Sequence, residues 1–149
     1  METQKFYVCK IQANIGNIRE TVKDILEYFS RVYGQMDEST YFELKVVLNE
    51  LLINAVKHGC EENSDKYVKI VAGLANDEYA LLAVEDDGDG YDTTLLEQCK
   101  KIGYPVIEEK AEQFNESGRG IFIVRHLCDD FMINQKGNKV VVNKKLIRA

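Results

Sequence analysis

The feature that most constrains this chain is the run MDESTYFELKVVLNELLINAVKHG, residues 36–59. Leu44, Val47, Leu48, Leu51 and Ala55 recur at helical spacing and form one apolar stripe. The run therefore predicts an amphipathic helix that must bury that stripe against another layer. Asp37 or Ser39 can cap its start, and Gly59 is a stop signal. A second run, NIGNIRETVKDILEYFSRVYG at 14–34, repeats the pattern through Ile15, Ile18, Val22, Ile25, Leu26 and Phe29 and ends at Gly34. Two helices that are apolar on one face only need a common surface to pack on.

Strands supply that surface. KFYVCKIQA at 5–13 alternates loosely and reads as an edge strand. KYVKIVAGLA and EYALLAVED flank the short turn NDE, a hairpin signal. Residues 91 to 117 are weakly patterned and hold Gly103 and Pro105, and a loop of that length in a compact domain is usually functional. GRGIFIVRHLCDDF opens on glycines and turns helical. DFMINQKGNKVVVNKKLI closes the chain as a hairpin around Lys136–Gly137–Asn138. The order βααββ–loop–αββ predicts a single α/β two-layer sandwich over 1–149. Its sheet is mixed but mostly antiparallel, with the helices on one face.

Of 149 residues, 19 are Lys or Arg and 25 are Asp or Glu, a net charge of −6. That balance argues against a nucleic-acid binder held by phosphate contacts. No apolar run approaches a membrane span, and the first ten residues lack a signal-peptide core. Cys9, Cys60, Cys99 and Cys128 form no CxxC pair and no zinc spacing, so reduced thiols in a cytoplasm are expected.

Three stretches can carry chemistry. Glu50, Asn54 and His58 are spaced i, i+4, i+8 and share one polar edge of the strongest helix. A carboxylate and a carboxamide one turn apart can serve as base and metal ligand, because magnesium in nucleotide sites takes few protein oxygens. The same spacing also suits a solvated helix edge. VEDDGDGYD at 84–92 looks like a calcium loop, yet with Gly90 at position 6 the twelfth residue is Leu96. With Gly88 there, the first is Ala83. A strand, not a helix, precedes the loop, so an EF-hand is excluded. Asp86 and Asp87 instead stand at a strand end, where a carboxylate can accept from an exocyclic amine. Gly88 and Gly90 permit close backbone approach to a ligand. GRG at 118–120 is placed to present helix N-terminal amides to phosphate. It is neither a Walker A loop nor a Rossmann fingerprint.

In combination and order, ELLINAVKHG, EDDGDGYD and ESGRGIFIVRHLCDDF resemble the N, G1 and G2 boxes of the ATPase superfamily of gyrase, Hsp90, histidine kinases and MutL. Small size and the RHLCDDF segment make the chain similar to single-domain anti-sigma factors that are serine/threonine kinases in bacterial partner switching. The resemblance implies the Bergerat ATP-binding fold, with ATP and Mg²⁺ as cofactors and residues 91–117 as the ATP lid. Glu50 would be the general base and Asn54 the Mg²⁺ ligand. Asp86 would accept from the adenine amino group, with Gly88 and Gly90 beside it. Gly118, Gly120 and Ile121 would lie along the phosphates. The cation on the γ-phosphate falls to Lys57, Arg119 or Arg125, Arg119 first, with His58 a further contact candidate. Implied partners are a sigma factor, a STAS-type anti-anti-sigma protein that receives the phosphate, and a second copy in a homodimer joined by the outer strand and first helix. Two other readings stand beside this one. One is a non-catalytic ATP-binding module that sequesters a partner. The other is the ATP-binding half of a histidine kinase, which lacks support because no dimerising hairpin with a phosphoacceptor histidine is present.

Overall fold

The computed structural model of the chain describes residues 6–61, 63–87, 115–134 and 138–149, with the side chains of 58–59 and 115–119 excepted. Among the described residues five strands form one sheet: β1 (Tyr7–Gln12), β2 (Tyr67–Ala75), β3 (Tyr79–Asp86), β4 (Asp130–Ile133) and β5 (Lys139–Lys145). Their spatial order is β1-β2-β3-β5-β4. Every pairing among the described strands is antiparallel, in line with the mostly antiparallel sheet expected from sequence. Among the described residues three α-helices pack with the sheet: α1 (Ile18–Val32), α2 (Glu38–Asn54) and α3 (Asn115–Leu127). Element order is as the sequence predicts, and the α/β sandwich stands.

Period-2 burial in the strands meets period-3.6 burial in the helices. Val68, Ile70 and Ala72 of β2, Ala80, Leu82 and Val84 of β3, and Val140 and Val142 of β5 are buried on one face. They share a core with Ile25, Leu26 and Phe29 of α1 and Leu44, Val47, Leu48 and Leu51 of α2. Ile15 departs from the expected stripe. It lies in a short 3-10 turn, Ile15–Asn17, ahead of α1 and is 39% exposed.

Local signals explain the boundaries. Asp37, not Ser39, caps α2: its Oδ2 accepts from Thr40 N at 3.3 Å and from Thr40 Oγ1 at 3.1 Å. The β2–β3 turn puts Asn76 and Asp77 at positive φ (54° and 59°), a region those residues tolerate. At its far end α2 does not run straight to Gly59. It passes at Ala55 into a π-helical turn, Ala55–Gly59, immediately after Asn54. Single π turns within helices favour functional positions. Among the described residues no helix is long and apolar enough to cross a membrane, and Cys9, Cys60 and Cys128 are free thiols.

Candidate nucleotide site

Two elements meet closely at Gly120. A Cβ built there would fall 3.1 Å from Asn54 Nδ2 and 3.2 Å from each carboxylate oxygen of Glu50. The helix crossing of α2 and α3 thus brings Gly120 against the carboxylate–carboxamide pair singled out in the sequence, closely enough that even a Cβ would press on both side chains. Asn54 is buried, and its Nδ2 donates to Glu50 O at 2.9 Å. With Nδ2 so engaged, Oδ1 is the atom available to a hard cation, which suits the donor chemistry of magnesium.

Asp86 ends β3 and is only 4% exposed. Its strand end is held from both sides. On the β5 side, Asp86 N donates to Asn138 O at 2.9 Å and Asn138 Nδ2 donates to Asp86 O at 3.1 Å. On the β2 side, Asp87 N donates to Tyr67 O at 3.1 Å while Tyr67 N donates to Asp87 Oδ2 at 3.2 Å. Asp87, which the sequence set beside Asp86 at the strand end, serves there as a clasp. Beneath it, burial raises the Cys60 thiol above its ordinary pKa, so a buried neutral group backs the acid.

Asn54 and Asp86 line one small pocket, about 10 Å³, the room of a single water. Leu51, Ala55, Val84, Ile121 and Val140 supply its apolar walls, and Asn138 a third polar group. In chemistry the lining matches a flat heterocycle with one donor amine, with apolar walls for the ring and a buried carboxylate for the amine, and admitting one requires the walls to part. A larger cavity of about 590 Å³ lies elsewhere, between α1 and α2. It is bordered by Arg19, Lys23 and Lys45 against the one carboxylate of Glu20. It contains none of the candidate catalytic side chains, so size does not identify the site here.

The structure therefore brings Glu50, Asn54, Asp86, Gly120 and Ile121 together. It does not gather every candidate. Lys57 is exposed on the π turn and does not line the pocket. The guanidinium of Arg125 sits 5.8 Å over the Phe131 ring, which occupies it on the surface of α3. Helix α3 starts at Asn115, three residues before Gly118. The expectation that GRG opens the helix is corrected. Gly118 and Gly120 lie within it, where main-chain amides enter the helical ladder, and Gly120 serves the crossing with α2. Gly88, Gly90, Asp89, Cys99, Lys136, Gly137 and the lid segment 91–114 lie outside the described residues, as do the side chains of His58, Gly118 and Arg119. Asn138 was missed as a site residue. Its position beside Gly137 in a hairpin marks a turn, and nothing in the residue pattern pairs it with Asp86.

The family model for the histidine kinase-like ATPase domain matches residues 11–144. The chain is 30% identical over 133 residues to the serine-protein kinase RsbW of Oceanobacillus iheyensis, covering 89% of this chain and 79% of that protein. It is 31% identical over 128 residues to the anti-sigma F factor of Bacillus velezensis, covering 84% and 82%. With RsbW of Bacillus subtilis the identity is 26% over 133 residues, covering 89% and 78%.

Proposed function

Because the chain belongs to the histidine kinase-like ATPase domain family, alongside the RsbW serine-protein kinases and anti-sigma F factors, we propose that it is an ATP-dependent protein serine/threonine kinase and anti-sigma factor of the cytoplasm. It binds ATP with Mg²⁺ and phosphorylates a serine or threonine of a STAS-type anti-anti-sigma protein. It holds a sigma factor when that antagonist is absent.

The single observation that carries this reading is the Gly120 crossing, which sets a carboxylate and a carboxamide from α2 against α3. Glu50 accepts the hydroxyl proton of the protein substrate as its oxygen bonds to the γ-phosphorus and the bond to the ADP oxygen breaks. Asn54 Oδ1 would be the protein ligand that holds the cation. Magnesium, when bound, offsets the charge on the transferring phosphoryl group. Asp86 accepts from the adenine amine, and Leu51, Ala55, Val84, Ile121 and Val140 exclude water from the base.

Features away from the pocket support the partner side of the proposal. In a chain of net charge −6, the groove of Arg19, Lys23 and Lys45 concentrates positive charge and suits an acidic protein segment. Strand β1 is a sheet edge, and Val8 on it is 60% exposed. The register sets Val8, Val71, Ala83, Val141 and Met132 in one apolar row across all five strands. A second copy joined through β1 would cover the end of that row.

Transfer of labelled γ-phosphate to a STAS-type substrate tests the assignment. Glu50→Ala is expected to abolish transfer and keep ATP binding. Asp86→Asn is expected to lose binding. Full transfer by Glu50→Ala sinks the catalytic role. Tight ATP binding by the unaltered protein without any loss of γ-phosphate would leave only the non-catalytic module.

A further inference from the structure

Asp86 closes β3, and strand ends are where a sheet opens most easily. It stands opposite Asn138, one position beyond the Glu85–Lys139 pair. In a hydrogen-bonded antiparallel pair the two residues exchange both main-chain bonds. Here one half of the exchange is made by a side chain. Asp86 N donates to Asn138 O as a ladder would, but the return bond comes from the carboxamide, Asn138 Nδ2 to Asp86 O at 3.1 Å. The main-chain N–H of Asn138 turns instead to Asn134 Oδ1 at 3.0 Å. That same oxygen accepts from Lys139 N at 3.1 Å, and Asn134 Nδ2 donates to Asn138 Oδ1 at 2.7 Å. All four side-chain polar atoms of the two asparagines are engaged, and the relay ends on the main chain of Asp86. Asn138 and Asp86 also line the same pocket.

We infer that Asn138 is a positioning residue for base recognition: held by Asn134, it sets where the Asp86 carboxylate stands in the pocket, and with it the preference for a purine bearing a 6-amino group. The inference rests on the reading of Asp86 as the carboxylate that meets the base. A carboxamide can be removed without unpairing the sheet, because the β3–β5 ladder from Tyr79–Lys145 to Glu85–Lys139 is independent of it. The effect is therefore local. A site built on a buried acceptor discriminates by where that acceptor stands, and small displacements weaken the preferred ligand more than the rejected one.

The experiment measures ATP and GTP affinities of the full chain for the unaltered protein, Asn138→Ala, Asn134→Ala and the double variant, with melting temperatures in the absence of nucleotide. The unaltered protein is expected to prefer ATP. Asn138→Ala should shrink the ATP:GTP affinity ratio by about tenfold, the scale of one hydrogen bond. Asn134→Ala should shrink it less, and the double variant should be no worse than Asn138→Ala alone. Asn138→Ser, which restores a donor, should recover part of the ratio. A purely structural role would lower the melting temperature and both affinities together and leave the ratio unmoved. An unchanged ratio in Asn138→Ala overturns the positioning role, and additive losses in the double variant overturn the relay from Asn134. If the unaltered protein shows no preference for ATP over GTP, the adenine reading of Asp86 falls and takes the positioning role with it. The two failures are thus distinct.

Discussion

Replacing Gly120 with alanine tests whether the α2–α3 crossing is a catalytic device. The added Cβ would stand 3.1 Å from Asn54 Nδ2 and 3.2 Å from both Glu50 oxygens, against an ordinary contact of 3.4 Å or more. Neighbours must yield by a few tenths of an ångström. Two stability effects oppose each other. Alanine is favoured over glycine inside a helix by about 1 kcal/mol, while overpacking a buried crossing costs about 1–3 kcal/mol. Their sum is small, so the fold should persist with a melting temperature within a few degrees of the unaltered protein. Catalysis has no such compensation. Glu50 is the flexible partner and moves first, and a displacement of about 1 Å at a reacting group can cost roughly 100-fold in rate. Single-turnover transfer of γ-phosphate, read beside a melt and an ATP-binding titration, should show kcat down by about 100-fold with the fold intact. The control is Gly73→Ala, whose Cβ would meet the Phe6 ring far from the site. Phe6 is 47% exposed and can swing out, so kcat should hold. A Gly120→Ala protein that folds and turns over at the normal rate refutes the claim that this crossing sets the geometry of Glu50 and Asn54.

Other outcomes follow from the same geometry. Asp37→Ala removes the α2 cap and the bond to Thr40 Oγ1; it should cost about 1 kcal/mol in a denaturant titration. Lys144 is buried with its Nζ 2.7 Å from Glu43 Oε1 and 2.9 Å from Leu127 O. Glu43→Ala leaves that ammonium without its counter-ion, yet the Glu43 side chain is 40% exposed, so the loss should be about 1–2 kcal/mol and not the larger figure for a fully buried pair. Lys144→Met should cost less than Glu43→Ala, and the reverse order would reject the counter-ion account. Burial pushes the Cys128 thiol from 9.0 up to about 12, and burial with a Cys9 hydrogen bond takes Tyr7 from 10.0 up to about 12. The folded state keeps protons that the unfolded state loses. The stabilisation is complete below pH 9 and declines as pH rises toward 12. Denaturant midpoints measured over that range should fall, and less steeply in Cys128→Val.

What the residues recorded was burial, and burial was legible. The stripes Ile18–Phe29 and Leu44–Ala55 and the alternation in β2, β3 and β5 follow directly from which faces meet water. The pair Glu50 and Asn54 was legible for the same reason, since it rides the edge of a stripe. The start of α3 was not. Asn115, Glu116 and Ser117 all favour helix starts, and glycines at 118 and 120 masked a helix already under way. The packing use of Gly120 needs the position of another helix, more than sixty residues earlier in the chain. The π turn after Asn54 leaves no mark in a 3.6-residue pattern. Asn138 joins Asp86 across 52 residues through a side-chain bond that replaces a main-chain one. Periodicity reports the face a residue takes and is silent on which strand end it closes.

The two ends of the site are set by different elements and yet share one core. Asp86 is fixed by the sheet, through Asn138 on one side and the Asp87–Tyr67 clasp on the other. Glu50 and Asn54 are fixed by a helix crossing. Each of these residues has an apolar wall residue as a near neighbour in the chain: Val84 two before Asp86, Val140 two after Asn138, Leu51 and Ala55 directly after Glu50 and Asn54, and Ile121 directly after Gly120. In a strand the i±2 neighbour shares a face, and in α2 the i, i+4 pair Leu51–Ala55 runs alongside the i, i+4 pair Glu50–Asn54. The packing that buries Val84, Ala55, Ile121 and Leu51 therefore also sets the distance between Asp86 and the Glu50–Asn54 pair. A core this dense does not deform continuously. In the proposed site, base recognition and phosphate chemistry are therefore held to one spacing by the hydrophobic contacts between sheet and helices.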